Sequence, residues 1–392
     1  MTMTANVTLA GLAPTAMPLS RAEAHIAAQS YDRPTLVLDP EIVAARYRSL
    51  QSGLGTARIH YAVKANPAPE ILARLVAEGA SFDSASQQEI ALCLAAGAAP
   101  AEVSFGNTVK RTQDIAWAHR AGVTLFAADA AEELEKIARH APGAEVCIRL
   151  LVESSAADWP LSRKFGAAPE TVPALMDRAA ALGLRPAGIS FHVGSQARRP
   201  EMWHDTLDAA QRVWQAVRAA GHRPDLLNIG GGFPASYGEE IPHPAEYAAA
   251  VHAEVVARFG TVPRLMADPG RGLVAEAGAI AAEVLLVARK RPGDAVRWVY
   301  LDIGKFSGLA ETIDEAIRYQ ILTPHDGGPV GPCILAGPSC DSADVLYEQR
   351  PMDLPLALAA GDRVIIRTAG AYTSSYASVG FNGFPPLRVE VI

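Results

Sequence analysis

The sequence predicts an α/β protein in which a (β/α)8 TIM-like barrel is followed by a smaller all-β domain. Strand-like and helix-like segments alternate from about residue 58 to residue 270, and eight of these segments are strand-like. Short β-rich runs separated by Gly and Pro follow after about residue 280. Eight strand–helix units fit a closed barrel, whereas an open doubly wound sheet more often has about five or six strands. The 392 residues also exceed what one ordinary hydrophobic core accommodates.

The N-terminal segment precedes the barrel. Residues 1–22 are rich in Ala, Thr, Pro and Leu and lack a basic start followed by a long apolar core, so they predict a flexible leader and not a signal peptide. Residues 23–38 contain the strand-like run Pro34–Leu38, which we expect to join the C-terminal sheet. The barrel is expected over residues 39–280 and the β domain over residues 281–392.

The barrel strands are predicted from short apolar, β-branched or aromatic runs bounded by turn residues. In chain order these runs are Ile59–Val63, Ala80–Phe82, Val103–Phe105, Val123–Phe126, Val146–Leu151, Gly188–Phe191, Leu226–Ile229 and Arg264–Ala267. Ala/Leu/Glu-rich stretches between them predict helices, for example Pro69–Glu78, Gln87–Ala96, Ala131–His140 and Met202–Ala220. The strands predicted for the β domain are Ala282–Val287, Trp298–Asp302, Cys333–Ala336, Arg363–Arg367 and Leu387–Ile392.

The composition narrows the class of function. The chain is 49% hydrophobic and 20% charged, which is typical of a globular protein. A formal net charge of −7 without any block of like charges argues against nucleic acid or an anionic membrane as the main partner. No apolar run approaches the roughly 18 residues of a membrane helix. The four cysteines show no zinc-type spacing, so we predict no metal site and a reducing, cytoplasmic setting.

Polar or glycine residues lie at the ends of the predicted barrel strands. The carboxyl ends of all strands in such a barrel open onto one mouth, where catalytic residues collect. We therefore predict an active site formed by the residues at these ends, which are Lys64, Asp83, Asn107, Arg149, His192, Gly230 and Asp268.

Lys64 is the most informative of these residues. It follows the apolar run Ile59–Val63, and Pro67 ends the strand soon afterwards. A lysine on the last rung of a buried strand cannot remain an unpaired ammonium at low cost. Desolvation would favour the neutral amine, which can form a Schiff base with an aldehyde cofactor such as pyridoxal 5′-phosphate (PLP). The alternative is a strand-end lysine whose side chain reaches solvent.

The loops after the seventh and eighth strands resemble a phosphate site. Residues 230–232 are all glycine, and residues 268–272 read Asp-Pro-Gly-Arg-Gly. Barrels commonly bind phosphate with these two loops, and bare backbone amides can approach it closely, although a tight turn would equally explain three glycines. Asp268 could keep the nitrogen of a PLP ring protonated or cap a helix. Arg271 could bind phosphate or a carboxylate.

Four further barrel residues are candidates for the same site. His192 could stack on an aromatic cofactor or be a satisfied core residue. Ser195 could donate to phosphate. Asp83 could pair with Lys64 or cap the following helix. Arg149 lies in an apolar strand and therefore needs an anion or another acceptor nearby.

The β domain contributes a second group of candidates. Cys340 lies in the turn Gly-Pro-Ser-Cys-Asp-Ser at 337–342, beside Asp341, and its thiol could deliver a proton or be a small buried hydrophobe. The phenol of Tyr372 could reach phosphate. On sequence grounds alone Asp314 is an ordinary exposed acid.

Taken together, these segments resemble the barrel-type (fold type III) PLP-dependent basic amino acid decarboxylases, and most closely the bacterial ornithine decarboxylases. The order and spacing of the motifs carry the resemblance from about residue 34 to the end of the chain. The motifs are Tyr-Ala-Val-Lys-Ala-Asn at 61–66, Phe-Asp-Ser-Ala-Ser at 82–86, Trp-Pro-Leu-Ser-Arg-Lys-Phe-Gly at 159–166, Ser-Phe-His-Val-Gly-Ser at 190–195, Gly-Gly-Gly-Phe-Pro at 230–234, Asp-Pro-Gly-Arg at 268–271, Gly-Pro-Ser-Cys-Asp-Ser at 337–342, Gly-Ala-Tyr-Thr at 370–373 and Phe-Asn-Gly-Phe at 381–384.

The resemblance implies an alanine racemase-like architecture with PLP as cofactor. It implies a Schiff base at Lys64, with Asp83 beside the lysine and His192 stacked on the cofactor ring. Lys64, Asp83 and His192 would then be among the catalytic residues. It further implies that Asp268 pairs with the ring nitrogen. The remaining residues implied in cofactor binding are Arg149, Ser195, Gly231, Gly232, Gly270, Arg271 and Tyr372.

The resemblance also implies the substrate side of the site. Cys340 would protonate Cα after carbon dioxide leaves, and it would come from the second subunit of a head-to-tail homodimer with shared active sites. Asp314, Asp341 and Phe381 would bind a small basic amino acid. The chain departs from the family twice, with Asp268 where Glu is usual and Ile313 where Tyr is frequent.

The expected reaction is decarboxylation of L-ornithine to putrescine, the polyamine precursor. A broader lysine/ornithine decarboxylase remains open, because Ile313 does not define the chain length. A diaminopimelate decarboxylase is disfavoured because Asp341 would repel a distal carboxylate, and an alanine racemase-like enzyme would place arginine on the ring nitrogen. An inactive partner-binding regulator would have lost ring contacts, a PLP-carrier protein would lack Cys340, and a flavin or phosphosugar barrel would leave Lys64 unexplained.

Overall fold

The computed structural model describes residues 18–152 and 164–392, which form two compact units. Among the described residues, the barrel unit contains those within Val43–Ala235 and Ile241–Leu273, and the β unit contains 18–42, Ser236–Glu240 and Val274–Ile392. The domain limits of 39–280 and 281–392 remain predictions. Most of the expected leader, and residues 159–163 of one quoted motif, lie outside the described residues.

A helix and a strand open the β unit. Helix α1 (Arg21–Ala28) begins with a capping box, in which Ser20 and Glu23 each accept a hydrogen bond from the other's backbone N–H. Arg21 and Ala22 of the expected leader are therefore helical. Strand β1 (Thr35–Leu38) is buried along its whole length and pairs with two strands of the C-terminal sheet.

Eight parallel strands of the barrel unit close into a barrel in chain order, which confirms the predicted fold class. The ring closes where the last strand pairs with the first, Ile59 lying opposite Ala267. The strands are β2 (Arg58–Ala62), β3 (Ser81–Ser84), β4 (Val103–Phe105), β5 (Leu125–Ala128), β6 (Glu145–Arg149), β7 (Arg185–Ser190), β8 (Leu226–Asn228) and β9 (Arg264–Ala267).

Helices alternate with these strands and bury an apolar stripe. In α3, for example, Ile71, Leu72 and Leu75 are buried. None of the helices within the described ranges is long and apolar enough to cross a membrane. The helices are α2 (Pro40–Gly53), α3 (Pro69–Ala77), α4 (Gln87–Ala95), α5 (Thr112–Arg120), α6 (Ala131–His140), α7 (Val172–Ala181), α8 (His204–Ala219), α9 (Pro244–Phe259) and α10 (Arg271–Val274).

The β unit holds a nine-stranded, largely antiparallel sheet that includes β1. Its longest strand, β10, pairs with β1, with β11 and with β16, and a bulge interrupts it between Val284 and Leu286. The sequence did not predict β12, β14 or β15. The strands are β10 (Gly278–Ala288), β11 (Arg297–Leu301), β12 (Ile321–Leu322), β13 (Val330–Ala336), β14 (Val345–Leu346), β15 (Met352–Pro355), β16 (Arg363–Ile366) and β17 (Arg388–Val391).

Candidate active site

Five predicted residues gather at the carboxyl ends of the barrel strands. Lys64 follows β2, Asp83 lies near the end of β3, and Arg149 is the last residue of β6. His192 and Asp268 follow β7 and β9. Because all strands run in the same direction around a closed barrel, these five residues lie at one end of it.

Lys64 does not occupy the last rung of a buried strand, so that prediction is wrong. Strand β2 ends at Ala62, and Val63–Ala65 form a single 3-10 turn that is closed by a hydrogen bond from the Asn66 N–H to the Val63 carbonyl. The Lys64 side chain is exposed. The turn carries the lysine out of the strand, and its role as the site of a Schiff base stays a prediction.

The Asp83 carboxylate is held from the neighbouring strand. Ser104 Oγ donates to its Oδ1 at 2.8 Å, and Gly106 leaves it room, since a Cβ there would overlap the carboxylate. Burial raises the pKa of Asp83, against the positive charge of Lys64, the Ser104 hydrogen bond and the charge of Arg149. The carboxyl thus lies within the electrostatic reach of the lysine that it was predicted to accompany.

Asp83 is not the N-cap of the following helix. That position belongs to Ser86, whose Oγ accepts a hydrogen bond from the Glu89 N–H at 3.2 Å. The capping interpretation of Asp83 is therefore wrong, and its carboxylate is available to the barrel mouth.

Asp268 has one satisfied and one unsatisfied oxygen. Asn228 Nδ2 donates to Oδ2 at 2.7 Å, whereas the buried Oδ1 accepts no hydrogen bond from any residue that the structure describes. Burial raises the pKa of Asp268 well above its usual value, and the charge of Asp83 raises it further. An N–H donor carrying positive charge would satisfy Oδ1 and stabilise the ionised carboxylate.

The His192 ring is neutral and has a defined tautomer. The Gly194 N–H donates to Nδ1 at 2.9 Å, so Nε2 carries the proton. Burial lowers the pKa of His192 well below 6.5, and the charges of Arg149 and Lys64 lower it further. A Cβ at Gly231 would lie 3.0 Å from Nε2 and 2.8 Å from the Asp268 carbonyl oxygen, so only glycine fits between these groups.

Arg149 meets an aromatic ring and several acids. Its guanidinium lies 5.1 Å from the centre of the Phe165 ring. Burial lowers the pKa of Arg149, and the charges of Asp83, Asp129 and Asp268 oppose this shift. The requirement for nearby acceptors in this apolar strand is therefore met by acids around the barrel mouth.

The two phosphate-loop candidates contact each other. Arg271 is buried, and its Nε donates to Ser195 Oγ at 3.2 Å. Gly232 has a φ of 107°, and a Cβ there would lie 2.7 Å from the Gly194 carbonyl oxygen. Gly270 lies between β9 and Arg271, the first residue of α10. Arg271, Ser195 and the Gly232 backbone therefore bring hydrogen-bond donors together on the segments that follow β9, β7 and β8.

Gln196 joins these loops, a role that the sequence did not reveal. Its amide makes a two-way contact with the Ala235 backbone, donating to the carbonyl oxygen at 2.9 Å and accepting from the N–H at 2.8 Å. The Ala197 N–H donates to the Gly232 carbonyl oxygen at 3.0 Å. Gln196 is buried and has a φ of 60°, so its backbone is strained to make this bridge.

The β unit presents Cys340 and Asp341 on an exposed loop. Cys340 is exposed, whereas Cys93, Cys147 and Cys333 are buried, so the interpretation of Cys340 as a buried hydrophobe is wrong. Its backbone N–H donates to Asn382 Oδ1 at 2.9 Å. Asp341 is also exposed and accepts a hydrogen bond from the backbone two residues later.

Asp344 organises this loop and was missed by the sequence reasoning. Its buried carboxylate accepts hydrogen bonds from the Lys305 N–H at 2.8 Å, from Ser339 Oγ at 2.7 Å and from the Ser339 N–H at 3.2 Å. Glycines at 304 and 337 pack against it where a Cβ would clash. The chain segment around Cys340 is therefore fixed from both sides.

The remaining candidates also belong to the β unit. Phe381 is 38% exposed and its ring centre lies 4.8 Å from that of Phe306. Tyr372 is half-buried with a φ of 54°. Asp314 is exposed, as expected, but its φ of 53° is not ordinary. The roles of all predicted site residues remain predictions.

Comparison with known proteins is consistent with this arrangement. The family model of the pyridoxal-dependent decarboxylases, pyridoxal binding domain, matches residues 41–275. The lysine/ornithine decarboxylase of Selenomonas ruminantium is 32% identical over 368 residues, covering 93% of this chain and 91% of the relative. The ornithine decarboxylase of Schizosaccharomyces pombe is 31% identical over 340 residues, covering 84% and 76%. The crystal structure of the Vibrio vulnificus lysine/ornithine decarboxylase complexed with cadaverine is 32% identical and superposes with a TM-score of 0.84, covering 96% of this chain and all of that one (100%).

Proposed function

The chain belongs to the pyridoxal-dependent decarboxylases of basic amino acids and is a lyase that uses PLP; from this premise we propose that its substrate is L-ornithine, which it converts to putrescine and carbon dioxide. The observation that supports the cofactor chemistry most directly is the buried, unsatisfied Oδ1 of Asp268. PLP supplies an electron sink for the electron pair left at Cα when carbon dioxide departs. Asp268 would hold the proton of the ring nitrogen on Oδ1, while Asn228 fixes the other oxygen.

The other barrel residues fit the same cofactor. His192 offers a flat neutral ring beside Gly231, where a side chain would obstruct an aromatic group. Arg271 and Ser195 offer donors to phosphate, and the Gly232 backbone can approach it closely. Lys64 is exposed at the end of the barrel, where its amine is accessible to an aldehyde. Each of these side chains therefore has a physical reason to take its assigned role.

A substrate with a distal ammonium group, such as ornithine, is favoured by two exposed acids of the β unit. Asp314 and Asp341 can each accept a hydrogen bond from a distal ammonium group. Asp341 directly follows Cys340, so a substrate with a distal carboxylate would be repelled beside the proton donor. Lysine is the second candidate, because relatives named lysine/ornithine decarboxylase match nearly the whole chain.

The proposal includes a head-to-tail homodimer in which each subunit supplies its Cys340 to the other's barrel. The exposure of Cys340 on a fixed loop supports this arrangement, since a thiol that donates a proton to a substrate must be accessible. Sedimentation of the purified protein and mixing of two inactive variants, Lys64→Ala and Cys340→Ala, would test it. Recovery of activity on mixing is expected only if the sites are shared.

The substrate is tested by carbon dioxide release from a panel of ornithine, lysine, arginine and diaminopimelate. We expect the highest kcat/KM for ornithine, and a comparable value for lysine would favour the second candidate. Borohydride should fix the cofactor to the peptide that contains Lys64, as shown by mass spectrometry. A colourless protein with no bound aldehyde, or turnover of diaminopimelate alone, would refute the proposal.

A further inference from the structure

Two adjacent residues of the β unit share a backbone conformation that side chains rarely adopt. Asp314 and Glu315 have φ angles of 53° and 55°. Neither residue is glycine, and such left-handed conformations persist only where the surrounding structure enforces them. The turn interrupts the 3-10 segment Ala310–Glu315 and directs the two side chains differently, since Asp314 is exposed and Glu315 is buried.

The Glu315 carboxylate is the group that enforces this turn. Oε1 accepts hydrogen bonds from the backbone N–H groups of Gln349 at 2.6 Å and Arg350 at 3.2 Å. Oε2 accepts from Arg350 Nε at 3.1 Å and from Arg318 Nη1 at 3.2 Å. Arg350 also closes the turn by donating from Nη2 to the Glu315 carbonyl oxygen at 3.1 Å.

The two arginines are themselves anchored to the same region. Arg318 donates to the Arg350 carbonyl oxygen at 2.8 Å, and its guanidinium lies 4.6 Å from the centre of the Tyr347 ring. Burial raises the pKa of Glu315, but the N–H groups of Arg350 and Gln349 outweigh it and hold that pKa below its usual value. The carboxylate is therefore ionised and fully engaged at neutral pH.

We propose that Glu315 and Arg350 are positioning residues, which hold the strained turn so that the Asp314 carboxylate meets the distal ammonium group of a diamino substrate. This inference rests on the proposed function. Strain at an exposed acid has no evident benefit for folding, whereas a fixed carboxylate avoids the entropy of ordering a flexible one when the substrate binds. The hydrogen-bonded network makes the position of Asp314 a property of the fold rather than of the ligand.

Disrupting the network of Glu315 and Arg350 should affect only the binding of the distal amine. A looser turn weakens the binding of the substrate in the ground state and in the transition state by the same amount, because the distal ammonium group is remote from the reacting bond. KM should therefore rise while kcat changes little. A network that only supports folding would instead affect all ligands equally.

The test uses the holoenzyme with the variant Arg350→Ala, since the Arg350 side chain is 65% exposed and its removal leaves no buried cavity. Glu315→Gln is a second variant that keeps the side-chain size. Because hydrogen bonds to a charged group are lost, the dissociation constant of putrescine, measured by calorimetry, should rise about tenfold to a hundredfold. KM for ornithine should rise by a similar factor. Binding of butylamine, which lacks the second amine, should stay within about twofold, since uniform binding through the rest of the site is untouched. Arg350→Lys should restore part of the putrescine affinity.

A control variant is available in the same unit. Asp32→Asn removes an ion pair of similar length, with Arg388 at 2.8 Å, and should change neither amine affinity. Equal losses for putrescine and butylamine, or no loss in either variant, would overturn the positioning role. If the unaltered holoenzyme decarboxylates no basic amino acid, the proposed function fails instead, so the two failures are distinguishable.

Discussion

Asp268→Asn tests whether the carboxyl group after β9 is suited to a cationic N–H partner. Burial raises the pKa of Asp268 well above its usual 3.8. Because this pKa is higher in the folded protein than in the unfolded chain, the folded apoprotein binds the extra proton. The stability contributed by that proton is complete below pH 3.8 and is lost as the pH rises through the raised pKa. An asparagine has no such proton, so the variant apoprotein should lose less stability as the pH rises.

The expected changes in stability, PLP affinity and kcat follow from what the two oxygens of the Asp268 carboxylate bind. Within its titration window one carboxyl group changes the free energy of unfolding by about 1.4 kcal/mol per pH unit. Oδ1 has no other donor among the described residues, so nothing would replace its hydrogen bond to the ring nitrogen in the holoenzyme once the carboxylate is removed. The asparagine amide would also turn its N–H groups toward that nitrogen. A hydrogen bond between charged groups contributes about 1.5–3 kcal/mol, so PLP should bind roughly tenfold to a hundredfold more weakly. Loss of transition-state stabilisation should lower kcat about 10²–10³-fold.

The assay combines denaturant unfolding of the apoprotein over a pH series with PLP titration. Asp302→Asn is the matched control, because burial raises the pKa of Asp302 to about 6 and its carboxylate also accepts a hydrogen bond, from the Glu283 N–H at 2.8 Å. This control should also flatten the pH dependence of stability but leave PLP affinity unchanged. Equal PLP affinity in Asp268→Asn and in the unaltered protein would refute the assignment of Asp268 to the ring nitrogen.

Three further substitutions separate the other roles. Cys340→Ala should retain PLP, measured by absorbance, but slow product formation about 10²–10⁴-fold if the thiol is the general acid; unchanged turnover would exclude that role. Gly231→Ala would place a Cβ 3.0 Å from His192 Nε2 and should weaken PLP binding measured by titration, and an unchanged affinity would show that the cofactor does not lie against His192. Asp341→Ala should raise KM for ornithine far more than the dissociation constant of PLP, whereas equal losses would make Asp341 a structural residue.

The barrel could be predicted because its signals are local. Each strand is a short apolar run followed by a turn residue, and eight repeats restrict the fold to a small number of topologies. The error at Lys64 has the same origin. Val63 continues the apolar run, and apolarity alone does not distinguish the last residue of a strand from the first residue of a buried 3-10 turn. Strands β12 and β14 contain two residues each, which is too short for any alternation to be visible.

The supporting residues of the site could not be predicted in the same way. Gln196 and Asp344 act by joining loops that are distant in the sequence, so their roles depend on contacts that only the folded chain creates. Asn228 gave a weak signal, as a polar side chain inside the apolar segment Leu226–Ile229. Asp314 gave none, since its unusual feature is a backbone angle. The sequence therefore indicates which residues could react, and the fold shows what holds them.

The charges at the barrel mouth indicate what kind of molecule belongs there. Burial raises the pKa of Asp83 and Asp268 and lowers that of His192, so each of these groups is shifted toward its neutral form. Arg149 and Lys64 disfavour any further cation near His192, whereas Asp268 retains one unsatisfied acceptor. A ligand that carries its positive N–H on the Asp268 side and its anionic group on the side of Arg271 would satisfy these constraints together. PLP has this distribution of charge, with a pyridinium nitrogen at one side of the ring and a phosphate at the other.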